Sequence, residues 1–216
     1  MINIIYEDNH LLVVEKPVNC LVQEDNTKDK DLLTILKQEL KEKYQKTGNV
    51  YLGLVHRLDR MVGGVMVFAK TSKAASRLSE QIKKNQFTKT YYAVVEGNLK
   101  QNGTLIDNLE KDEKRRISFV SPNGKRAKLN YEVLANKENK TLLKIHLETG
   151  RHHQIRVQFS HAGYPLYGDA KYNKQANLKD PVALFAKELS FYHPITKELL
   201  TFSLNLPKRF PFSLFE

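Results

Sequence analysis

The sequence predicts an α+β fold on a largely antiparallel mixed sheet with flanking helices. Three observations carry the prediction. Short apolar runs with strand-like alternation dominate, amphipathic helical stretches fall between them, and no repeat, low-complexity linker or composition break divides the chain. Its 216 residues suit one large domain or two small ones at roughly 100 to 200 residues each. The simplest reading is a single domain over residues 1–216.

The opening IIYEDNHLLVVEKP reads as a hairpin of Ile2 to Tyr6 and Leu11 to Val14, turned at Glu7 to His10 and stopped by Pro17. Between Asp31 and Lys46, Leu32, Leu33, Leu36, Leu40 and Tyr44 recur at helical spacing, with Asp31 placed to cap. A second helix follows Thr71 or Ser72, marked by Ala75, Leu78 and Ile82 and running to about Asn85, and TYYAVVEG is a strand. Gln101 to Lys128 is polar, with turn signals at Asn102-Gly103 and Pro122-Asn123-Gly124, and reads as hairpins or an insertion. Leu129 to Ala135 and Thr141 to Leu147 alternate as strands. His152 to Ala162 predicts a short helix closed by Gly163, and Val182 to Ser190 and Leu199 to Leu204 predict late strands.

Lys and Arg number 35 against 24 Asp and Glu, a net charge of +11, which makes a polyanion such as RNA or DNA the first partner to consider. The apolar content is too high for disorder. No window approaches the roughly 18 apolar residues of a membrane span, and the N-terminus lacks a signal-peptide pattern; an intracellular, cytoplasmic protein is expected. Cys20 stands alone, which leaves it as a structural thiol. Phosphate-binding, dinucleotide-binding, nucleophile-elbow and zinc-deaminase motifs are missing, so ATPase, dehydrogenase, esterase and deaminase readings fall.

Two clusters carry chemistry. In LVHRLDRMVGGVMVFAK, His56, Arg57, Asp59 and Arg60 interrupt an apolar frame. A carboxylate there needs cations, which Arg57 and Arg60 are near enough in sequence to provide; an ordinary loop ion pair is the plainer alternative. In LETGRHHQIRVQFSHAGYPLYGDAKY, Arg151, His152, His153 and Arg156 fall at the start of the predicted helix, where a phosphate or carboxylate would be favoured. A metal site from His56, His146, His152, His153 and His161 with Asp59 or Asp169 is weakened because the adjacent His152 and His153 would point about 100° apart on a helix.

HRLDRMVGGVMVFAK, KTYYAVVEG and the TGRHHQIR block, in this order, with the opening hairpin and the closing ALFAKELSFYHPIT, resemble the RluA family of RNA pseudouridine synthases over nearly the whole chain. The resemblance implies a catalytic domain with a central RNA-binding cleft that isomerises uridine in ribosomal or transfer RNA. No cofactor, metal or membrane is implied, a monomer is expected, and the S4 domain of many relatives is not expected here. It implies Asp59 as the essential aspartate, Tyr91 as the aromatic that stacks on the target base and Arg151 as the partner of the aspartate. Arg57 falls near the flipped nucleotide and Ile155 in the base-pocket segment, and His56, Arg60 and Lys89 join them as substrate-binding residues. Taken alone, Tyr91 also fits a core strand aromatic. The family's usual Thr-Ser-Gly is here Val62-Gly63-Gly64, without the two hydroxyls.

Breaking the N1–C1′ bond and joining C5 to C1′ needs one ionised carboxylate, as nucleophile or as the base of a glycal route, and a neighbouring guanidinium favours that ionised state. A stacked uridine must first be flipped or already unpaired, at a cost of a few kcal/mol, which phosphate contacts from Lys83-Lys84, Lys111 to Arg116 and Lys125 to Lys128 would offset. A non-catalytic RNA-binding module and a metal-dependent nuclease using the histidines and Asp169 remain as rivals.

Overall fold

The computed structural model describes residues 2–25 and 29–216. Two compact units are present, one of Met1–Thr88 with Ala186–Leu204 and one of Lys89–Phe185 with Asn205–Glu216.

In the first unit, β1 (Asn3–Glu7) and β2 (Leu11–Lys16) form the expected hairpin. Asp8 makes the turn by accepting, through one carboxylate oxygen, the backbone N–H groups of His10 and Leu11 at 2.7 Å each. β2 pairs antiparallel with β4 (Gly63–Ala69), which also pairs with the two-residue β3 (Gly53–Leu54). All seven residues of β4 are buried. A strand covered on both faces shows an unbroken apolar run instead of alternation, as VMVFA does.

Helices α1 (Leu32–Lys43) and α2 (Ser72–Lys83) start where the sequence places them. Asp31 accepts from the Thr34 N–H and Thr71 from the Ala74 N–H, both at 3.1 Å, so Thr71 is the second cap and Ser72 is already helical. The buried stripe of α2 packs Ala74 and Leu78 against Val65, Val67, Leu189 and Phe191. The last two belong to β10 (Leu184–Tyr192), which forms a hairpin with β11 (Leu199–Ser203). Gln81, buried in α2, satisfies the strand through a pair of 2.8 Å bonds with the Tyr192 backbone N–H and carbonyl.

The second unit is an antiparallel array in the order β5 (Phe87–Glu96), β9 (Lys140–Leu147), β8 (Lys125–Lys137), β6 (Gly103–Asp112) and β7 (Ile117–Val120). β5 starts three residues before the predicted Thr90. The polar stretch after Gln101 takes the hairpin alternative, and its strands are longer than the sequence suggests. β6 has ten residues and β8 thirteen, because pairing with two neighbours each satisfies backbone groups irrespective of side-chain polarity.

β9 ends at Leu147, opposite Leu129, while β8 begins at Lys125. The first residues of β8 therefore lack a β9 partner on that edge. Helix α3 (Gln154–His161) begins two residues later than predicted, since the preceding His153 has φ +54° in the left-handed region. A final 3-10 turn covers Phe212–Phe215 and was not anticipated. The fold class is α+β with a mixed, mostly antiparallel sheet, as the sequence predicts.

Candidate active site

The loop between β3 and β4 carries HRLD. His56 anchors its start: Nε2 accepts the Val67 backbone N–H at 3.2 Å, and the ring packs edge-on against Phe87 with centroids 5.3 Å apart. Leu58 is buried, Arg57 is exposed, and His56, Asp59 and Arg60 are half-buried. The Arg60 guanidinium is held by Asn19 (Nε to Oδ1, 2.8 Å) and by Asp29 (Nη1 to Oδ2, 2.8 Å).

Lys16 fastens the loop from below. Its side chain is buried at the end of β2, and Nζ donates to the carbonyls of Pro17 at 2.9 Å, Cys20 at 2.7 Å and Arg60 at 3.1 Å. Three carbonyl dipoles solvate the ammonium in place of water, incompletely, so burial pulls its pKa from 10.5 down to about 8. Cys20 and then Asp59 oppose that fall electrostatically.

Gly63-Gly64 opens β4 at the same spot. Gly64 has φ +127°, and a Cβ there would fall 2.2 Å from the Ala186 carbonyl oxygen, so no side chain fits. At Gly63 the nearest atoms to a Cβ would be Val18 Cγ2 at 3.1 Å and the Lys16 carbonyl oxygen at 3.2 Å. That contact is tight but yields to small shifts.

The second cluster sits where β9 has run out. The Lys128 N–H donates to Thr149 Oγ1 at 2.8 Å, and the Lys128 carbonyl accepts the N–H groups of Glu148 and Thr149 at 3.2 and 3.3 Å and Gln154 Nε2 at 3.1 Å. Arg151 Nε donates to the Arg126 carbonyl at 2.9 Å. The turn 149–154 thus completes the ladder that β9 abandons. Lys89 Nζ lies 3.5 Å from where a Gly150 Cβ would be, an ordinary contact distance, and burial lowers the Lys89 pKa.

Behind the turn is a buried polar network. His152 and His153 stack with centroids 3.7 Å apart, correcting the expectation that they diverge on a helix, since both precede it. His152 Nδ1 bonds Ser118 Oγ at 2.8 Å, and His153 Nδ1 bonds the Tyr172 hydroxyl at 2.7 Å. Burial, then the charge of Arg156, pushes the His153 pKa from 6.5 to about 2, so the ring is neutral. Arg156 makes a two-point ion pair with Asp169, at 2.7 and 2.6 Å, both side chains being almost wholly buried. The sequence-based anion site at the helix start is therefore corrected: Arg156 is committed to Asp169, and Arg151 lies in the turn upstream. The nuclease reading likewise loses Asp169, and among the described residues no three His, Cys, Asp or Glu side chains are grouped to hold a metal.

His56, Arg57, Asp59 and Arg60 share one loop of the first unit. Lys89, Tyr91, Arg151 and Ile155 belong to the second, where Tyr91 and Ile155 are buried and Arg151 is exposed. Lys16 and Gln154 were missed. A lysine closing the apolar run LLVVEK was a weak signal for the first, and nothing local marked the second.

Each unit thus holds its own motif by hydrogen bonds, HRLD through His56 and Lys16 in the first and TGRHHQIR through Thr149, Arg151 and Gln154 in the second. Residues 10–161 match the family model described as RNA pseudouridylate synthase. The chain is 35% identical over 214 residues to the uncharacterized RNA pseudouridine synthase YhcT of Bacillus subtilis, covering 95% of this chain and 69% of that protein. It is also 35% identical to ribosomal large subunit pseudouridine synthase D of Vibrio cholerae, covering 95% and 68%. Human RNA pseudouridylate synthase domain containing 4 superposes with a TM-score of 0.81 at 24% identity, covering 99% of this chain and 92% of that one, which shows the shared fold.

The chain belongs to the RNA pseudouridylate synthase family, of the RluA type. It is an isomerase that acts on uridine in RNA.

Proposed function

We propose that this pseudouridine synthase acts on ribosomal RNA in the cytoplasm, with Asp59 working on the ribose, Tyr91 holding the uracil face and Arg151 paired with the Asp59 carboxylate. Residues 1–216 would work as one catalytic domain, as a monomer and without metal or cofactor. The observation that carries the reading is the anchoring of HRLD, whose backbone is fixed on both sides of Asp59 by His56 and by Lys16. A carboxylate that must meet C1′ needs that fixation, because a misplacement on the order of 1 Å costs about 100-fold in rate.

Isomerisation breaks N1–C1′, turns the uracil and forms C5–C1′; the C5 proton leaves to solvent and N1 gains one. No second carboxyl is required to direct water, as it is in glycoside hydrolysis, because uracil departs as a delocalised anion and stays bound. Asp59 acts at the sugar as nucleophile or base. The Tyr91 ring holds the base by its face, a contact that tolerates rotation. Arg57 and Ile155 would receive the flipped nucleotide, Arg60 and Lys89 would flank it, and His56 would contribute from the base of the loop. Ribosomal RNA is favoured over transfer RNA by the names of several relatives, among them the Vibrio cholerae enzyme.

Release of tritium from C5-labelled uridine in RNA tests the catalytic assignment. Asp59→Ala should abolish release while circular dichroism and RNA affinity stay at wild-type level, and appreciable turnover would remove Asp59 from its role. Activity should persist in EDTA. Mapping pseudouridines in a strain lacking the protein should show loss at ribosomal sites; loss confined to transfer RNA would overturn the substrate.

A further inference from the structure

We propose that Gln154 is a positioning residue for the isomerisation, holding Arg151 in the orientation the reaction needs. This rests on the proposed role of Arg151. Gln154 is 3% exposed, and both its amide oxygen and its amide nitrogen are hydrogen-bonded. Oε1 accepts the Arg151 backbone N–H at 3.0 Å and the Thr149 hydroxyl at 2.8 Å, and Nε2 donates to the Lys128 carbonyl at 3.1 Å. The reverse amide orientation would set NH2 against an N–H and oxygen against a carbonyl, so the contacts admit one orientation.

Thr149 completes the chain of bonds. Its hydroxyl accepts from the Lys128 N–H and donates to Gln154, at 2.8 Å in both cases. Gln154 thereby joins β8, the 149–151 backbone and the start of α3. With its main chain fixed, Arg151 donates through Nε to the Arg126 carbonyl at 2.9 Å, which ties one edge of the guanidinium to β8. A planar fork discriminates by direction, so losing that anchor costs alignment before it costs charge. The left-handed His153 lets Gln154 turn back towards Arg151 while also beginning the helix.

The test uses Gln154→Leu, close in volume and unable to bond. Single-turnover rates on bound RNA should fall by about 100-fold, the cost of misalignment on the order of 1 Å, with RNA affinity and its salt dependence unchanged. In arginine-labelled protein, the Arg151 Nε–H resonance, assigned by its absence from Arg151→Met, should be protected from solvent exchange in wild type and lose protection in Gln154→Leu. Thr149→Val should reproduce both effects and Thr149→Ser should restore them, a pair that also reads the contact if Gln154→Leu does not fold. Unchanged Nε–H protection in Gln154→Leu, or in Thr149→Val should that protein alone fold, would overturn the proposal, as would loss of RNA affinity in proportion to rate. Wild-type turnover by Arg151→Met would instead remove Arg151 from the reaction, an outcome the exchange measurement distinguishes.

Discussion

Replacing Lys16 with methionine keeps the length and apolar stem of the side chain and removes the ammonium. Burying a charge is costly, and exchanging a buried ion for a hydrophobic residue is often neutral or favourable when its partners leave with it. Here the partners stay. The carbonyls of Pro17, Cys20 and Arg60 are fixed by the backbone and lose their common donor. At about 1 to 3 kcal/mol for each acceptor left unmatched, the loss is roughly 6 kcal/mol. Against it stands relief of the burial cost, about 3 kcal/mol from the fall in pKa from 10.5 to about 8.

The net expectation is destabilisation by about 3 kcal/mol at neutral pH, a drop in Tm of roughly 6 to 12 °C for a protein of this size. The pH dependence has a defined sign. Between about 8 and 10.5 the unfolded state keeps the Lys16 proton that the native state gives up, so native stability relative to Lys16→Met rises with pH across that window and is flat below it. Urea unfolding of both proteins at pH 7 and pH 9.5 measures the difference. Turnover should fall as well, because the Arg60 carbonyl tie adjoins Asp59. A Tm within about 2 °C of wild type, with no divergence at high pH, would refute the view that this lysine is an internal donor.

Three other perturbations have defined outcomes. Gly64→Ala should cost on the order of 3 kcal/mol in denaturant unfolding, because the new Cβ meets the Ala186 backbone and φ +127° disfavours it; Gly63→Ser should cost about 1 kcal/mol, its contacts being 3.1 Å and longer. Asp169→Ala should lose about 3 to 5 kcal/mol by stranding the buried Arg156, and Arg156→Met with Asp169→Leu should recover much of it by the same assay. In RNA binding measured across salt concentrations, Lys125→Ala should make the slope shallower by about 0.7 to 0.9, whereas Lys128→Ala should change it less, since its charge is already paired with Glu148 at 2.8 Å.

What the sequence alone determined is what depends on neighbours along the chain. Both long helices could be read because apolar residues at helical spacing and a capping Asp31 or Thr71 are local signals. The hairpin at Asp8 was legible because that carboxylate bonds residues two and three positions on. The family was legible because HRLD and TGRHHQIR are long and chemically unusual strings. The tertiary structure decided partnership and burial. Arg60 reaches Asp29 and Asn19, Lys16 reaches the Arg60 carbonyl, and Arg156 takes Asp169. Each choice turns on which segments the fold brings within hydrogen-bond range, a condition no local window contains. The late start of α3 has the same origin. Thr149, Arg151 and Gln154 satisfy the edge of β8 that β9 leaves open, and the chain must pass through a left-handed His153 before the helix can begin.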